Sequence, residues 1–552
     1  MYFNGNSLAD RRWYTVAGNA QSRWKSYGNY RLLLWAWMMN EITIMYSPTA
    51  ISHNGLYAHA TLQTLAVIFV GMPLVYSEIC LAQYTNCNIF TVWNYFPLFQ
   101  NVGYATFYLI ILKTIYLMVL TSWYLMYTFY SALDVPPWLS CDDFNDTQML
   151  FDDDCGMKTA SNCFFEREIG DNCTSVTFQC FHHWKTIVAM TAISSSVYIL
   201  SIKKEKLIQV AVKLVAFYVC IVILVLFCVA LSTSGTWYAT KITLKWNNYN
   251  YNHCYTSITR GFLSVGTGYG IIFFLTRDVS FRSPATMTSI CTPLFSLFVS
   301  FMFGIIAFGG IKTMSYYHGE EENVIEIGSS LFFPMFASMS EIISYFDAMP
   351  IWGFLWFSVI FISMYLNFWI LYLFLKELVL NIELARKYSK LSCLLLIIMI
   401  VCFSMAFQCS DVTSALADAT ELIQILQNLL FSVSLYWIYG YKKHNVDIIF
   451  MIGIKAHYFW KVSWLINPLL LASILYSRWL DKGTAEFKDS YHIESIDMDF
   501  DHVYDTLHAQ KLQVCFVTHD VDKKYFYNFI TGIKCILYPK FWLPWSLHPV
   551  FN

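Results

Sequence analysis

The chain has 552 residues, of which 57% are hydrophobic, 18% aromatic and only 13% charged. Soluble domains carry roughly 25% charged residues, so this composition excludes a string of ordinary soluble domains and indicates a chain that crosses a membrane many times. The formal net charge of −2 removes the general case for a nucleic-acid partner, and residues 1–31 lack the apolar region of a cleavable signal peptide.

Eleven apolar stretches are candidates for membrane-spanning helices, each of which needs about 20 apolar residues. They cover residues 32–48, 62–81, 106–129, 186–202, 207–231, 261–275, 290–311, 351–375, 391–407, 422–439 and 458–476. These stretches must form helices, because the hydrocarbon core contains no water and the backbone N–H and C=O groups have to hydrogen-bond within the segment. We therefore predict an all-α polytopic membrane protein with a transmembrane domain at 32–477, after an N-terminal segment at 1–31 and before a polar tail at 478–552. Residues 527–548 are only patchily apolar, so both eleven and twelve spans are compatible with the sequence.

Basic residues in the short loops indicate the orientation, because Lys and Arg concentrate on the cytoplasmic side. If the spans alternate, the basic loops at 203–206, 277–282, 386–390 and 442–443 all lie on the same side as the N-terminus. We therefore expect a plasma-membrane protein with a cytoplasmic N-terminus.

The long loop at residues 132–184 then faces outside. It contains two N-glycosylation sequons, at Asn145 and Asn172, and five of the sixteen cysteines. An oxidising compartment favours disulfides there. Because five is odd, at least one of these cysteines stays free or pairs elsewhere.

Five motifs occur in a fixed order along residues 20–475. Residues 71–84 read G-M-P-L-V-Y-S-E-I-C-L-A-Q-Y, and residues 264–270 read S-V-G-T-G-Y-G. The remaining three are Ser47-Pro48, a Trp- and Pro-containing region at 93–141, and the segment at 437–468. Together they resemble the signatures of the sodium:neurotransmitter symporter family, in which a Pro at the position of Pro48 ends the first span.

The resemblance implies two inverted five-helix repeats around a central site, where spans one and six are interrupted at mid-membrane. Half-helix ends at such interruptions favour ions, because their N-termini attract anions and their free carbonyls attract cations. Gly266, Gly268 and Gly270 are what an unwound span six needs, although glycines also permit close helix packing.

The implied function is secondary active transport, in which sodium, with chloride as a second candidate ion, drives uptake of an amino acid or related small amine by alternating access. The alternative is a family scaffold that no longer transports, or does so without sodium, and acts as a membrane binding or regulatory protein. The expected partners are a small solute and the lipid bilayer, with a homo-oligomer as a candidate assembly. The sequence has no P-loop or paired metal motif, so we expect neither an enzyme nor a cofactor.

The resemblance also places the coupling ions, although the side chains depart from the family pattern. The sodium positions are Ala36, Met38, Met39, Thr43, Ser264, Ser296 and Asn367, and the chloride positions are Gln63, Arg260, Ser264 and Ser300. Thr43 and Ser296 stand where the family has Asn, and Asn367 with Phe368 makes a poor shell for a hard cation. Arg260 either strengthens anion attraction or extends to the outer membrane surface. No metal beyond sodium is expected.

The substrate positions contain the sharpest departures. They are Asn40, Lys113, Tyr116, Leu117, Leu263, Ser264, Gly266, Gly268 and Tyr269. Asn40 replaces the Asp of amine transporters, which argues against simple cationic monoamines. A lysine inside a span costs about 2.5–3.5 kcal/mol or more and by default marks function, so Lys113 needs a partner, for which Glu41 is the candidate. Lys113 then replaces a sodium charge, attracts a substrate carboxylate, or forms only a structural pair.

Several further residues follow from the same comparison. Tyr46 replaces an Arg of the extracellular gate, which leaves Asp418 as the candidate for its unpaired partner. Glu78 is expected to hydrogen-bond the unwound part of span six, and Glu421 is interpreted as extending to the membrane surface. In the outer loop the candidate disulfide joins Cys141 and Cys155.

Overall fold

The computed structural model describes most of the predicted transmembrane domain. It covers residues 27–54, 56–139, 161, 164–165, 168–169, 184–202, 205–232, 251–318, 334–344, 346, 348–453 and 455–493. The sequons at Asn145 and Asn172, the cysteines Cys141 and Cys155 and the candidate twelfth span at 527–548 lie outside these residues.

Across the described residues the chain is helical and contains no β-strand. In chain order the helices are α1 Tyr27–Met38, α2 Glu41–Asn54, α3 Leu56–Thr85, α4 Val102–Ser131, α5 Trp184–Ile202, α6 Glu205–Ser232, α7 Tyr251–Leu263, α8 Ile271–Thr276, α9 Ala285–His318, α10 Met339–Ser344, α11 Met349–Leu380, α12 Glu383–Lys387, α13 Ser389–Met405, α14 Ser410–Ser432, α15 Tyr441–Ile452 and α16 Tyr458–Ile493.

The predicted fold class is confirmed. Each of the eleven predicted apolar stretches is helical over most of its length, and seven of the described helical segments are long and apolar enough to cross a membrane. The first and sixth spans are not among these seven, because each is divided into two short helices, α1 with α2 and α7 with α8. The chain is therefore an all-α, multi-pass membrane protein with two interrupted spans.

Two helices extend beyond the ends of the predicted apolar stretches. Helix α2 continues through Pro48, the last residue of the first stretch, to Asn54. A proline removes only one backbone hydrogen bond, and membrane helices tolerate it where neighbouring helices pack against them. Helix α16 continues past residue 476, the end of the last predicted stretch, to Ile493, whereas its apolar part ends at Arg478. A helix that leaves the apolar layer needs no change of backbone, since all its hydrogen bonds are internal.

Helix α4 organises the packing around the two interrupted spans. It packs most extensively along α11 and also contacts α5, α13 and α14. The second half of span one, α2, packs along α9, and the first half of span six, α7, packs along α3. The interruptions therefore lie inside the helix bundle, where unpaired backbone groups require partners from neighbouring helices.

Cys409, immediately before α14, is disulfide-bonded. The predicted topology places it on the same outer side as the loop at 132–184, and the backbone N–H of the next residue, Ser410, donates to the carbonyl of Ile169 in that loop at 3.2 Å. Cys409 therefore adds a disulfide-bonded cysteine outside the loop at 132–184 on this predicted side, where an odd cysteine of that loop was expected to find a partner if it pairs elsewhere.

Candidate functional site

Span one is interrupted by a local capping arrangement. Helix α1 ends at Met38 and α2 begins at Glu41. The intervening Asn40 accepts a hydrogen bond on Oδ1 from the backbone N–H of Thr43 at 3.0 Å, which is the contact of a helix N-cap. Glu41 in the first turn also interacts favourably with the positive end of the helix dipole. Asn40 therefore starts a new helix inside the membrane.

Span six is interrupted by its glycines. Gly266, Gly268 and Gly270 have φ angles of +65°, +85° and +70°, a conformation that side-chain-bearing residues rarely adopt. The segment between α7 and α8 is consequently not helical. The three glycines therefore interrupt span six, which is the first of the two interpretations given for them above.

Side chains from other helices satisfy the backbone exposed by this interruption. Trp37 Nε1 donates to the carbonyl of Gly266 at 3.0 Å, and Gln424 Nε2 donates to the carbonyl of Thr267 at 2.8 Å. The backbone N–H of Gly268 donates to Glu78 Oε1 at 2.8 Å. These hydrogen bonds replace the missing helical ones, so that the unwound backbone is stable away from water.

The two interruptions meet at a cluster of oxygen atoms. Thr43 Oγ1 lies 2.8 Å from the carbonyl oxygen of Met38, 3.2 Å from Asn40 Oδ1, 3.2 Å from the carbonyl oxygen of Ser264 and 3.1 Å from Ser296 Oγ. Asn40 Nδ2 also donates to the Ser264 carbonyl at 2.9 Å, which ties span one to span six. Carbonyl, amide and hydroxyl oxygens are the donors that hard cations prefer, so this donor set fits a sodium ion.

The remaining two predicted carbonyl ligands have a different partner. Asn367 Nδ2 on α11 donates to the carbonyl oxygens of Ala36 at 3.0 Å and of Met39 at 2.9 Å. The predicted sodium positions therefore separate into two groups, one gathered around the Thr43 hydroxyl and one centred on the amide nitrogen of Asn367. The second group does not fit a cation, because its donor already lies against the carbonyl oxygens.

A buried ion pair lies beside the interruption of span one. Lys113 is 2% exposed, and its Nζ forms an ion pair with Glu41 Oε1. The same nitrogen is 5.3 Å from the ring centroid of Tyr116 and 5.2 Å from that of Tyr269, within cation–π range. Two predicted substrate residues thus surround the lysine with aromatic faces, while Leu117, one residue beyond Tyr116, is fully buried.

The predicted chloride positions are only partly brought together. Gln63 Nε2 donates to Ser300 Oγ at 2.8 Å, and Ser47 Oγ is hydrogen-bonded to the same hydroxyl. Arg260 contacts other groups, with its guanidinium 3.9 Å from the ring centroid of Tyr46 and its Nε 4.0 Å from Glu421 Oε1. Leu263 and Ser264 are fully buried at the end of α7 and just beyond it.

Two interpretations of acidic residues on α14 are wrong. Asp418 is not left unpaired, because Arg478 of α16 reaches its Oδ1 at 3.1 Å. Glu421 does not extend to the membrane surface, because it is 3% exposed and lies between Arg260 and Arg478, which is 3.8 Å from its Oε2. Arg478 was not predicted as a partner because it follows the last apolar stretch, where a basic residue ordinarily marks a boundary.

Several further polar contacts were not predicted from the sequence. Trp37, Gln424 and Ser47 contact the interrupted spans or the chloride positions. All three are fully or almost fully buried. The available signal was a polar or indole side chain within an apolar span, which requires a hydrogen-bond partner.

A multi-pass helical membrane protein in which two interrupted helices meet at a buried polar cluster has the architecture of a secondary transporter. Comparison with known families specifies it further. Residues 41–501 match the model of the sodium:neurotransmitter symporter family, and the chain belongs to this family.

Individual relatives are distant but cover most of the chain. The chain is 22% identical to the sodium-dependent serotonin transporter of Drosophila melanogaster over 492 residues, with 83% of this chain and 76% of that transporter covered. It is 21% identical to the mouse (Mus musculus) sodium-dependent neutral amino acid transporter B(0)AT1, with 78% and 79% covered. With the Xenopus laevis sodium- and chloride-dependent glycine transporter 2 the identity is 23%, with 73% of this chain and 57% of that transporter covered.

The family membership decides two predictions. Members are transporters, so the chain is not an enzyme, and the predicted resemblance is confirmed. Membership also supports sodium-coupled symport of a small molecule across a membrane.

Proposed function

We propose that the chain carries a zwitterionic or acidic amino acid across the plasma membrane together with sodium, by alternating access to a site between spans one and six. The observation that carries the choice of substrate is the buried Lys113 ammonium between Tyr116 and Tyr269. A fixed positive charge at this position attracts a carboxylate and repels a simple cationic amine.

Asn40 supports the same choice of substrate. A carboxylate at this position would pair with a substrate amine, whereas the Asn40 side chain is already used as the N-cap of α2 and as a donor to the Ser264 carbonyl. The proposed substrate site therefore lacks a free anionic group on span one, since Glu41 is paired with Lys113. Because Lys113 and Glu41 neutralise each other, a substrate carboxylate would balance the charge of the sodium ion carried with it.

The oxygen cluster around Thr43 is the proposed sodium position. Met38, Asn40, Thr43, Ser264 and Ser296 would hold the ion through their oxygen atoms. A bound sodium supplies positive charge next to the substrate carboxylate. The oxygen atoms of the cluster belong to residues in or next to α1, α2, α7 and α9. Because these helices form three different spans, one, six and seven, a change in the angle between the spans would open or close the cluster.

Chloride stays a second candidate ion. The amide of Gln63 and the hydroxyls of Ser47 and Ser300 are hydrogen-bond donors suited to an anion, and they lie together on α3, α2 and α9. Arg260 is not needed for this arrangement, because its guanidinium is used by Tyr46 and Glu421.

Uptake into cells that express the full chain tests the proposal. We expect a panel of labelled zwitterionic and acidic amino acids to contain at least one substrate whose uptake falls when sodium is replaced by N-methylglucamine. Labelled monoamines serve as the comparison and are expected not to enter. If no compound enters although the chain is at the cell surface, the alternative of a binding or regulatory membrane protein replaces this proposal.

The Thr43 hydroxyl offers a sharper test of the sodium position. Thr43→Val keeps the shape of the side chain but removes the central oxygen, so we expect the sodium concentration for half-maximal uptake to rise about tenfold, which corresponds to about 1.4 kcal/mol. Thr128→Val is the matched control, because this buried hydroxyl bonds only to the carbonyl of Tyr124 in its own helix, at 2.7 Å, among the described contacts. An unchanged sodium dependence in Thr43→Val would exclude this hydroxyl from the ion site.

A further inference from the structure

The C-terminal end of α1 is a place where a cation is expected. The last carbonyl groups of a helix have no partner within the helix, and together with the helix dipole they make this end negative. Ala36 lies in the last turn of α1 and Met39 directly follows it, and both are buried. In interrupted transport helices such carbonyls bind sodium. Without an ion they need another positive group.

The structure provides that group as a side-chain amide. Asn367 on α11 is 1% exposed, and its Nδ2 is within 3.0 Å of the carbonyl oxygens of Ala36 and Met39. A third carbonyl oxygen, that of Ser363 one turn earlier on α11, is 2.9 Å from the same nitrogen. Three carbonyl oxygens from two helices thus surround one nitrogen.

The surrounding atoms also fix which end of the amide faces α1. An amide nitrogen carries two hydrogens and donates, whereas the amide oxygen only accepts. With the amide reversed, Oδ1 would face three other acceptors and have no donor, so only the nitrogen suits this position. Its two hydrogens give this end of the side chain a partial positive charge, directed at the negative end of α1.

We infer that the Asn367 carboxamide takes the place of a bound cation at the C-terminal end of α1. An ion that coordinates the carbonyls of Ala36 and Met39 has to occupy the space that Nδ2 fills. The amide joins α1 to α11 without an ion, so that, of the two groups of predicted sodium positions in the described residues, the cluster around Thr43 alone stays open to sodium. The inference about the number of bound ions stands on these contacts, and its consequence for transport rests on the proposed function.

Counting bound sodium tests this directly. The full chain is purified in detergent, and binding of radioactive sodium is measured by equilibrium dialysis as ions per chain. We expect the wild-type chain to bind no more than one. Asn367→Asp has nearly the same shape, but it removes both N–H donors and adds a negative charge against the carbonyls. This variant is expected to bind one more sodium per chain and to melt at a higher temperature in sodium than in N-methylglucamine.

Asn467→Asp is the matched control, because Asn467 is a fully buried asparagine of α16 that makes no side-chain hydrogen bond within the described residues. It is expected to bind as many sodium ions as the wild type. If Asn367→Asp does not fold, Asn367→Ser frees the same two carbonyls and adds a hydroxyl oxygen, and the same gain of one ion is expected. Two sodium ions on the wild-type chain, or no gain in a folded Asn367 variant, would overturn the inference.

The count separates this inference from the proposed function, because binding is measured without transport. A chain that transports nothing but binds at most one sodium, with a gain on replacement of Asn367, contradicts only the proposed function. A chain that transports an amino acid and binds two sodium ions contradicts only the inference about Asn367.

Discussion

Replacing Lys113 with methionine is expected to destabilise the protein by about 3–5 kcal/mol, the typical cost of removing one partner from a buried ion pair. The physical reason is that Glu41, itself buried, loses the group that compensates its removal from water. Glu41→Gln is expected to cost a similar amount, because it leaves the Lys113 ammonium unpaired. Both losses are measured as the change in melting temperature of the purified chain and in the amount that reaches the cell surface.

The double variant Lys113→Met with Glu41→Gln removes both charges and is expected to recover most of the lost stability, since no unpaired charge remains. Lys185 and Glu168 provide the control pair, with a lysine side chain that is 33% exposed. Glu168 is buried but solvent reaches the Lys185 side chain, so replacing Lys185 with methionine is expected to cost less than replacing Lys113. Equal losses at the two pairs would show that burial of Lys113 does not govern its contribution.

The double variant also decides between the interpretations of Lys113. If the lysine attracts the substrate carboxylate, the folded double variant is expected to have a KM raised about tenfold or more, equivalent to about 1.4 kcal/mol. If the lysine replaces a sodium charge, the sodium dependence changes instead. Wild-type kinetics and ion dependence in a stable double variant would leave the pair with a structural role alone.

Gly266→Ala is expected to have the second large effect, a loss of about 2–5 kcal/mol together with loss of uptake. A φ of +65° costs a side-chain-bearing residue about 1–2 kcal/mol. The added Cβ would in addition lie 2.5 Å from Trp37 Nε1, the atom that donates to the Gly266 carbonyl, and overpacking of this kind adds about 1–3 kcal/mol. Melting temperature and uptake are measured on the same preparations.

Gly453→Ala separates the two contributions. This glycine follows α15 with a φ of +81°, and an added Cβ there meets nothing within 4 Å. The control therefore pays the backbone cost of about 1–2 kcal/mol without the steric one and is expected to retain uptake. Similar losses in Gly266→Ala and Gly453→Ala would mean that the contact with Trp37 does not constrain the interruption of span six.

Features that depend on nearby residues could be predicted from the sequence. Long apolar stretches must become helices in a membrane, because only helices satisfy their backbone within one segment. The three glycines at 266, 268 and 270 likewise predict the interruption of span six, since glycine alone adopts positive φ at little cost. A buried lysine requires a counter-charge, which was enough to make Glu41 the candidate.

Contacts between distant parts of the chain were decided only by the tertiary structure. Asn367 meets Ala36 across 331 positions of sequence, and Arg478 meets Asp418 from another helix. Local sequence patterns do not specify which helix faces pack together. The residues adjacent to a polar side chain in the sequence therefore do not show which group on another helix it will contact. The sequence alone therefore determined the helices and the interruption of span six. Packing of α11 and α16 decided which polar groups face one another, because each buried donor must find an acceptor on whichever helix lies beside it.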